Sequence, residues 1–193
     1  MKERFQNNGV LDNFYGLYYF ENNGVLQKLL HQLKYENRKF IAEIFGDLIG
    51  NEIKENKLFE DNKLIIPIPL NKIKERERGY NQSLILAKRV SKILGINTLD
   101  NILFRKKYTK TQTQLNLQER KENIKDAFEV RNNELIKNQN IILVDDVITS
   151  GSTIEEAAKC LKNNGANKVI SFSIAVAQLE DEIKSTKVEE LEI

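Results

Sequence analysis

Residues 141–153 of this 193-residue chain read Ile-Ile-Leu-Val-Asp-Asp-Val-Ile-Thr-Ser-Gly-Ser-Thr, and this stretch decides the fold. Its first part, residues 141–144, has the length and the β-branched content that predict a buried strand. Asp145 and Asp146 stand where we expect that strand to leave the sheet, and a turn rich in hydroxyl groups follows. The pattern Ser152-Thr153-Ile154-Glu155 fits a capping box, which predicts that a helix begins there.

This order of elements suits a sugar phosphate. The backbone N–H groups of the turn and the positive end of the helix attract a phosphate, and two carboxylates suit the vicinal hydroxyls of a ribose. A P-loop is excluded because no Lys precedes the Ser/Thr, and a dinucleotide fingerprint is excluded because Gly151 stands alone. Two ionised carboxylates would repel the phosphate unless hydroxyls lay between them or Mg²⁺ offset their charge. An ordinary strand-to-helix turn with a serine cap is the weaker interpretation.

The composition predicts a globular, cytoplasmic protein. Apolar residues make up 40% and charged residues 30% of the chain, and the formal net charge is +2. Acids and bases are interspersed, which argues against a nonspecific nucleic-acid binder with a basic face. No apolar run approaches the roughly 20 residues that span a bilayer, and the N-terminus lacks a secretory signal. Cys160 is the single cysteine, so we expect neither an intramolecular disulfide nor a cysteine zinc site.

Apolar periodicity predicts strands that alternate with helices. Strands are expected at residues 14–20, 63–68, 141–144 and 168–177. The second predicted helix has an apolar side that we expect to face inward, formed by Ile41, Ile44, Phe45, Leu48 and Ile49. This alternation predicts an α/β fold with a mostly parallel twisted sheet flanked by helices. Ligands of such sheets bind at the carboxyl ends of strands.

A basic segment follows the predicted strand that Pro67 and Pro69 terminate. We expect Arg76 and Arg78 to lie in a turn, where two guanidinium groups can bind a pyrophosphate bidentately. Gly79 and Asn81 suit the start of the next helix. Lys72, Lys74 and Glu75 lie close by, so a solvated basic loop is the alternative. The nearby acidic pair favours anion binding.

Both segments resemble the ComF-like branch of the type I phosphoribosyltransferases. The acidic pair with its turn is similar to the phosphoribosyl pyrophosphate loop of those enzymes. The branch also has Pro-x-Pro-Leu, Arg-Gly-[Phe/Tyr]-Asn-Gln and Leu-Lys-Tyr segments, which match residues 67–70, 78–82 and 33–35. Its middle pattern matches Arg105, Thr109, Thr111-Gln112, Leu115, Arg120, Asn123 and Ala127-Phe128.

The resemblance implies a type I phosphoribosyltransferase fold in one domain over residues 1–193. An N-terminal hood of helices and a strand would occupy residues 1–60, the α/β core 61–178, and a charged tail 179–193. Asp145 and Asp146 would be the catalytic and ribose-binding residues. The 5′-phosphate would be bound by Thr149, Ser150, Gly151, Ser152 and Thr153, and pyrophosphate by Arg76, Arg78 and Gly79.

The resemblance also implies a mobile loop over residues 105–120, for which an ordinary surface loop is an equal alternative. The loop residues expected to act are Arg105, Lys106, Lys107, Gln112 and Arg120. Mg²⁺ is the implied cofactor. It would be held mainly through ligand oxygens and water, so no metal ligands are assigned in the chain.

The implied activity transfers phosphoribosyl from phosphoribosyl pyrophosphate to an unknown acceptor, with a nucleotide monophosphate as the other ligand and a homodimer as the expected assembly. Many relatives begin with a zinc ribbon of cysteine pairs, which this chain lacks. A non-catalytic accessory protein of competence and DNA uptake is one alternative, and the only one with a nucleic-acid partner. Orotate phosphoribosyltransferase is the second alternative. The resemblance implies that orotate enzymes carry Thr at the position of Thr149, where the 6-oxopurine enzymes carry Asp.

Overall fold

A computed structural model describes residues 2–4, 10–21, 23–56, 64–106 and 117–177. The predicted tail, 179–193, lies outside the described residues. The strands are β1 (Lys2–Arg4), β2 (Asn13–Phe20), β3 (Leu64–Pro67), β4 (Asn97–Thr98), β5 (Leu103–Arg105), β6 (Phe128–Val130), β7 (Asn140–Ile148) and β8 (Lys168–Ala177). The helices are α1 (Val25–Tyr35), α2 (Lys39–Glu55), α3 (Lys72–Arg78), α4 (Gln82–Leu94), α5 (Leu117–Ile124) and α6 (Ser152–Asn163).

Six strands form the main sheet in the order β1-β2-β8-β7-β3-β4. Every neighbouring pair in it is parallel except β1 with β2, which is antiparallel. The short strands β5 and β6 form a separate antiparallel pair. The prediction of a mostly parallel sheet flanked by helices is therefore confirmed, and the predicted strand at 168–177 matches β8 in full. None of the described helices is long and apolar enough to cross a bilayer.

Two apolar layers cover the two faces of this sheet. On one face α6 packs with β5, β6 and the end of α5, and on the other face α1, α2 and α4 pack together. Parallel strands buried on both faces are apolar nearly throughout, and β7 and β8 follow that rule.

The inward face of α2 differs from the prediction. Ile41, Phe45 and Ile49 are buried, but Ile44 is 54% and Leu48 is 43% exposed. Helix α2 instead approaches α4 through glycine: a Cβ added at Gly46 would stand 2.6 Å from Cβ of Arg89. The buried stripe is therefore centred on the small residues that let the two helix backbones meet, and Ile44 and Leu48 fall outside it.

The strand before the acidic pair is longer than predicted. We expected it to end at Val144, but β7 runs to Ile148 and carries Asp145 and Asp146 within its last part. Pairing with β8 continues at Val147 and Ile148, opposite Ala175 and Val176. Two further apolar residues extend the parallel ladder, so both carboxylates lie on a strand rather than on a free turn.

Candidate functional site

The acidic pair lies at the carboxyl end of β7, beside the end of β3. The two strands pair in parallel up to Pro67 and Val144, and the Ile68 N–H donates to the Val144 carbonyl across 2.9 Å. The next helix is tied to the same place, because the Asn81 side chain donates to the Ile68 carbonyl across 3.0 Å. The chain after β3 and the acidic pair on β7 therefore share one edge of the sheet, as the sequence predicted.

Asp145 is partly buried and hydrogen-bonded on both sides of Oδ1. The hydroxyl of Ser83, in the first turn of α4, donates to it across 2.9 Å, and the Asp146 N–H donates across 2.9 Å. Burial, together with the neighbouring charge of Asp146, raises the pKa of Asp145 to about 7, and the Ser83 hydrogen bond opposes this rise. Near neutral pH this carboxyl can therefore both donate and accept a hydrogen bond.

Asp146 is buried and forms an ion pair with Lys34. Nζ of Lys34, in the last turn of α1, lies 2.8 Å from Oδ2 of Asp146, while Oδ1 accepts from the Val147 N–H across 2.8 Å. Within the described residues Oδ2 has no partner in hydrogen-bond geometry, so its contact with Lys34 is electrostatic. The ammonium compensates the charge of this oxygen, and a ligand hydroxyl aligned with Oδ2 would add a hydrogen bond to it.

The turn after β7 differs from the predicted capping box. Gly151, not Ser152, stands at the N-cap of α6, in the left-handed region at φ 82°, and no side chain caps this helix. The Ser150 and Ser152 hydroxyls lie 3.1 Å apart, and the Glu155 N–H bonds to the Gly151 carbonyl across 2.9 Å. Glycine turns the chain into the helix, which leaves the serine hydroxyls beside its N-terminus.

The same turn carries the five residues predicted to bind a 5′-phosphate. Thr149 is exposed, Ser150 and Thr153 are half-buried, and Gly151 and Ser152 are buried. They begin one residue after β7 ends, so the turn and the acidic pair are parts of one continuous segment. The positive end of α6 therefore lies next to the carboxylates, as a sugar phosphate requires.

Arg76 and Arg78 lie on a helix and not in the predicted turn. Asn71 caps α3 by accepting from the Ile73 N–H across 2.9 Å, and both arginines fall in its last turn. Gly79 ends α3 at φ 75°, so it does not begin the following helix as predicted. The N-cap prediction holds for Asn81, which accepts from the Ser83 N–H across 3.0 Å.

Arg78 is held in place from two directions. It donates to Oε1 of Gln82 across 3.1 Å, and its guanidinium lies 5.4 Å from the ring centre of Tyr35. A pocket of about 410 Å³ opens here, lined by Lys34, Tyr35, Asn37, Lys39, Arg76, Glu77, Arg78 and Gly79. Four of these side chains are cationic and one is acidic, so the pocket suits an anion.

Lys74 and Arg105 extend the positive charge towards the carboxylates. Burial lowers the pKa of Lys74, and the charges of Arg78, Arg105 and Lys34 lower it further. Burial also lowers the pKa of Arg105, and the negative charge of Asp145 opposes this decrease. Arg105 ends β5, with its guanidinium 5.7 Å from the ring centre of Phe128.

The other residues of the predicted mobile loop are only partly described. Lys106 is exposed, and its N–H donates to the Ala127 carbonyl across 2.9 Å. Lys107 and Gln112 lie outside the described residues. Arg120 is on α5, and its side chain lies outside the description as well. The mobility of this loop stays a prediction.

Sequence reasoning assigned no role to three residues that the fold brings to the site. Ser83 gave no signal beyond its place after Asn81. Lys74 was named only as a reason for the alternative of a solvated basic loop. Lys34 was noted only within the matching segment Leu33-Lys34-Tyr35. The matching segments 33–35 and 78–82 were the available sign that Lys34 belongs to the site. The structure brings these segments together, because Arg78 lies over the Tyr35 ring and the Tyr80 hydroxyl donates to the Leu33 carbonyl.

A divalent cation fits the donors present only together with a ligand. In the described ranges, no cluster of three or more His, Cys, Asp and Glu side chains is placed to hold a metal ion. Two adjacent carboxylates remain, and one of them has a buried oxygen without a hydrogen bond. Mg²⁺ commonly binds through one or two carboxylates plus the phosphates of a substrate, so the residues are compatible with that mode.

Comparison with known proteins gives concordant matches. The model of the phosphoribosyl transferase domain matches residues 81–190. Competence protein F of Haemophilus influenzae is 36% identical over 77% of this chain and 67% of its own length. DNA utilization protein YhgH of Escherichia coli is 34% identical over 73% of this chain and 63% of its own. Competence protein ComFC of Bacillus subtilis is 35% identical over 62% of this chain and 47% of its own length. The chain thus spans about two thirds, or less, of the length of these relatives.

Among solved structures, glutamine phosphoribosylpyrophosphate amidotransferase from B. subtilis matches with a TM-score of 0.49 and 16% identity, over 74% of this chain and 30% of that one. A purine phosphoribosyltransferase from Pyrococcus horikoshii matches with a TM-score of 0.42 and 20% identity, over 70% of this chain and 80% of that one.

Proposed function

Because this chain belongs to the ComF-like family of phosphoribosyltransferases, we propose that it binds phosphoribosyl pyrophosphate and transfers its phosphoribosyl group to a nitrogen nucleophile. The observation that carries this proposal is the buried Oδ2 of Asp146, which in the described residues is paired with the Lys34 ammonium at 2.8 Å, outside hydrogen-bond geometry. It lies in the segment that leads directly into the turn before α6. A ribose hydroxyl would satisfy this oxygen while the 5′-phosphate occupies the turn.

The acidic pair supports ribose binding because its two carboxyl groups have different surroundings. Asp145 has a pKa of about 7, because of burial and the adjacent Asp146. Asp146 is buried, and its Oδ2 lies 2.8 Å from Nζ of Lys34. Two adjacent carboxyl groups, of which Asp145 can both donate and accept near neutral pH, suit two vicinal hydroxyl groups.

The reaction would form a C1–N bond to the acceptor while the C1–O bond to pyrophosphate breaks. Sugar transfers of this kind pass through a transition state with oxocarbenium character. The negative charge of the acidic pair, held close to the ribose, would stabilise that positive charge. Arg76 and Arg78 would bind the departing pyrophosphate, with Gln82 and Tyr35 holding Arg78 in orientation. Mg²⁺, bound with the substrate, would supply charge neutralisation of the pyrophosphate oxygens.

Calorimetric titration with phosphoribosyl pyrophosphate and Mg²⁺ tests the binding step. The wild type should bind, and Asp146→Asn should lose at least about tenfold in affinity because an amide cannot replace the anionic acceptor. Asp47→Asn is the matched control, since Asp47 forms its ion pair with Arg89, away from the site. Equal affinity of Asp146→Asn and the wild type would refute the proposed ribose contact.

Pyrophosphate release in the presence of candidate bases tests the transfer step and identifies the acceptor. Orotate belongs in that panel with purine and pyrimidine bases, because Thr149 follows the acidic pair at the position noted above. Release that depends on one base, and that Asp146→Asn abolishes, supports a transferase. Binding without release for any base would reduce the proposal to a ligand-binding protein.

A non-catalytic role in DNA handling is the second candidate, favoured by one observation. Tyr35 is 64% exposed and stands beside the cationic side chains of the pocket, an arrangement that suits a stacked base with its phosphate. Relatives of this chain carry the names competence protein and DNA utilization protein. Salt-sensitive binding of single-stranded DNA that survives Asp146→Asn but fails in Tyr35→Ala would favour this role.

A further inference from the structure

Lys34 lies between the acidic pair and the cationic pocket that contains Arg76 and Arg78. We propose that Lys34 is a ligand-displaced latch: its ammonium, which is paired with Asp146, transfers to pyrophosphate when ribose hydroxyls take over Asp146. This inference rests on the proposed function and adds to it a binding residue and a change of partner. Lys34 would contact the substrate directly in the liganded form.

The geometry gives Lys34 access to both positions. Its Nζ lies 2.8 Å from Oδ2 of Asp146, and the same residue lines the pocket that contains Arg76 and Arg78. Its side chain is 24% exposed, so it borders the open pocket instead of being enclosed in the core. A lysine side chain is a point charge on a flexible four-carbon stem, which can change partner without a change in the backbone.

The backbone beneath Lys34 is fixed on both sides. The carbonyl of the preceding residue, Leu33, accepts a hydrogen bond from the Tyr80 hydroxyl, and the Leu33 side chain is fully buried. The following residue, Tyr35, stacks against the Arg78 guanidinium. A change of partner therefore requires only the Lys34 side chain to move, because contacts on both sides attach the end of α1 to the segment between α3 and α4.

The present partner of Lys34 is one that a ligand can replace. The Lys34 contact with Asp146 lies outside hydrogen-bond geometry, so an aligned ribose hydroxyl would give Oδ2 a hydrogen bond in exchange for the ion pair, while the ammonium regains a charged partner in pyrophosphate. Lys34 and Lys74 also repel each other. A pyrophosphate in the pocket would offset that repulsion. Both changes favour exchange once the ligand is present.

The latch predicts opposite effects on the two halves of the substrate, tested with inorganic pyrophosphate and ribose 5-phosphate separately. Lys34→Met should weaken pyrophosphate binding by at least about fivefold, because one cation is lost from the pocket. The same variant should bind ribose 5-phosphate at least as tightly as the wild type, because no ion pair must be broken. Lys39→Met is the matched control: it removes a cation that lines the same pocket but lies over the Tyr80 ring, 5.0 Å from its centre.

Calorimetry on the full chain distinguishes the outcomes. A loss confined to pyrophosphate, and larger in Lys34→Met than in Lys39→Met, supports the latch. Unchanged pyrophosphate affinity in Lys34→Met, or an equal loss for both ligands, overturns it while leaving the proposed function intact if the wild type binds phosphoribosyl pyrophosphate. A wild type that binds none of the three ligands overturns both. If Lys34→Met does not fold, Lys34→Arg keeps the charge and should retain pyrophosphate affinity within about threefold; a tenfold loss overturns the latch.

Discussion

The Ser83 hydroxyl donates a hydrogen bond to Asp145 across 2.9 Å, which joins the first turn of α4 to the end of β7 over 62 residues of chain. Ser83 is buried, and its backbone N–H is bonded to the Asn81 side chain that caps the helix. The cap therefore fixes both the start of α4 and the direction of the hydroxyl. This contact stabilises the ionised form of Asp145 and opposes the effects of burial and of Asp146 on its pKa.

Ser83→Ala should raise the pKa of Asp145 further. The carboxylate loses a hydrogen bond that favours its charged form, and bonds to charged groups contribute about 1.5–3 kcal/mol. Carboxyl carbon NMR titration would detect the shift. Ser91→Ala is the control on the same helix, because the Ser91 hydroxyl donates to the Ile96 carbonyl instead. An unshifted Asp145 titration in Ser83→Ala would show that the hydroxyl does not act on this carboxyl.

The raised pKa of Asp145 makes folding stability depend on pH in a defined direction. Its folded value of about 7 lies above the ordinary value of 3.8, so the folded chain binds the proton more tightly than the unfolded chain does. The stabilisation is complete below pH about 4 and is lost as pH rises through about 7. Asp145→Asn should therefore raise the free energy of unfolding, relative to the wild type, more at pH 7.5 than at pH 4.5. Urea unfolding at the two pH values measures this; an equal difference at both would contradict it.

Gly46→Ala should destabilise the protein although alanine is the better helix former. An added Cβ would stand 2.6 Å from Cβ of Arg89 and 3.2 Å from the Leu86 carbonyl oxygen, so α2 and α4 must separate. Such overpacking costs about 1–3 kcal/mol, against about 1 kcal/mol gained in helix propensity. Thermal unfolding gives the sign of the net effect. Because α4 carries Ser83, the displacement should also weaken phosphoribosyl pyrophosphate binding; a stabilised variant would show that the helices have room.

Gln82→Leu tests whether Arg78 depends on its acceptor. Gln82 is 1% exposed, and its Oε1 accepts a hydrogen bond from Arg78, so loss of the amide should cost about 1 kcal/mol of stability. Pyrophosphate affinity should fall about three- to tenfold, because Arg78 loses the contact that orients it. The same change in an Arg78→Ala background should have no further effect. An additive loss would mean that Gln82 acts independently of Arg78.

Gly151→Ala tests the 5′-phosphate turn against a matched glycine. Gly151 and Gly165 both have positive φ, 82° and 99°, and stand at opposite ends of α6. Alanine at either position should cost about 1–2 kcal/mol of backbone strain. Only Gly151→Ala should also weaken ribose 5-phosphate binding, because the turn before α6 shifts. Equal ligand affinity in the two variants, measured by calorimetry, would argue against this turn as the phosphate site.

Much of the architecture followed from local patterns. β8 coincides with its predicted span, and α6 begins at Ser152 as expected, because apolar runs and small-residue turns act over a few residues. Local patterns were insufficient at two places. β7 extends to Ile148 because its partner strand continues alongside it, and the arginines fall on α3 because the Asn71 cap and Gly79 bracket a short helix.

The sequence by itself determined the parallel α/β fold, the family, and the place of Asp145 and Asp146 before a small-residue turn. These are encoded in contiguous residues with recognisable spacing. Only the tertiary structure decided which groups surround the carboxylates: Lys34 from α1 and Ser83 from α4. The physical reason is that a hydrogen bond or ion pair between distant segments depends on how the helices pack on the sheet. That packing is not encoded in any local sequence pattern.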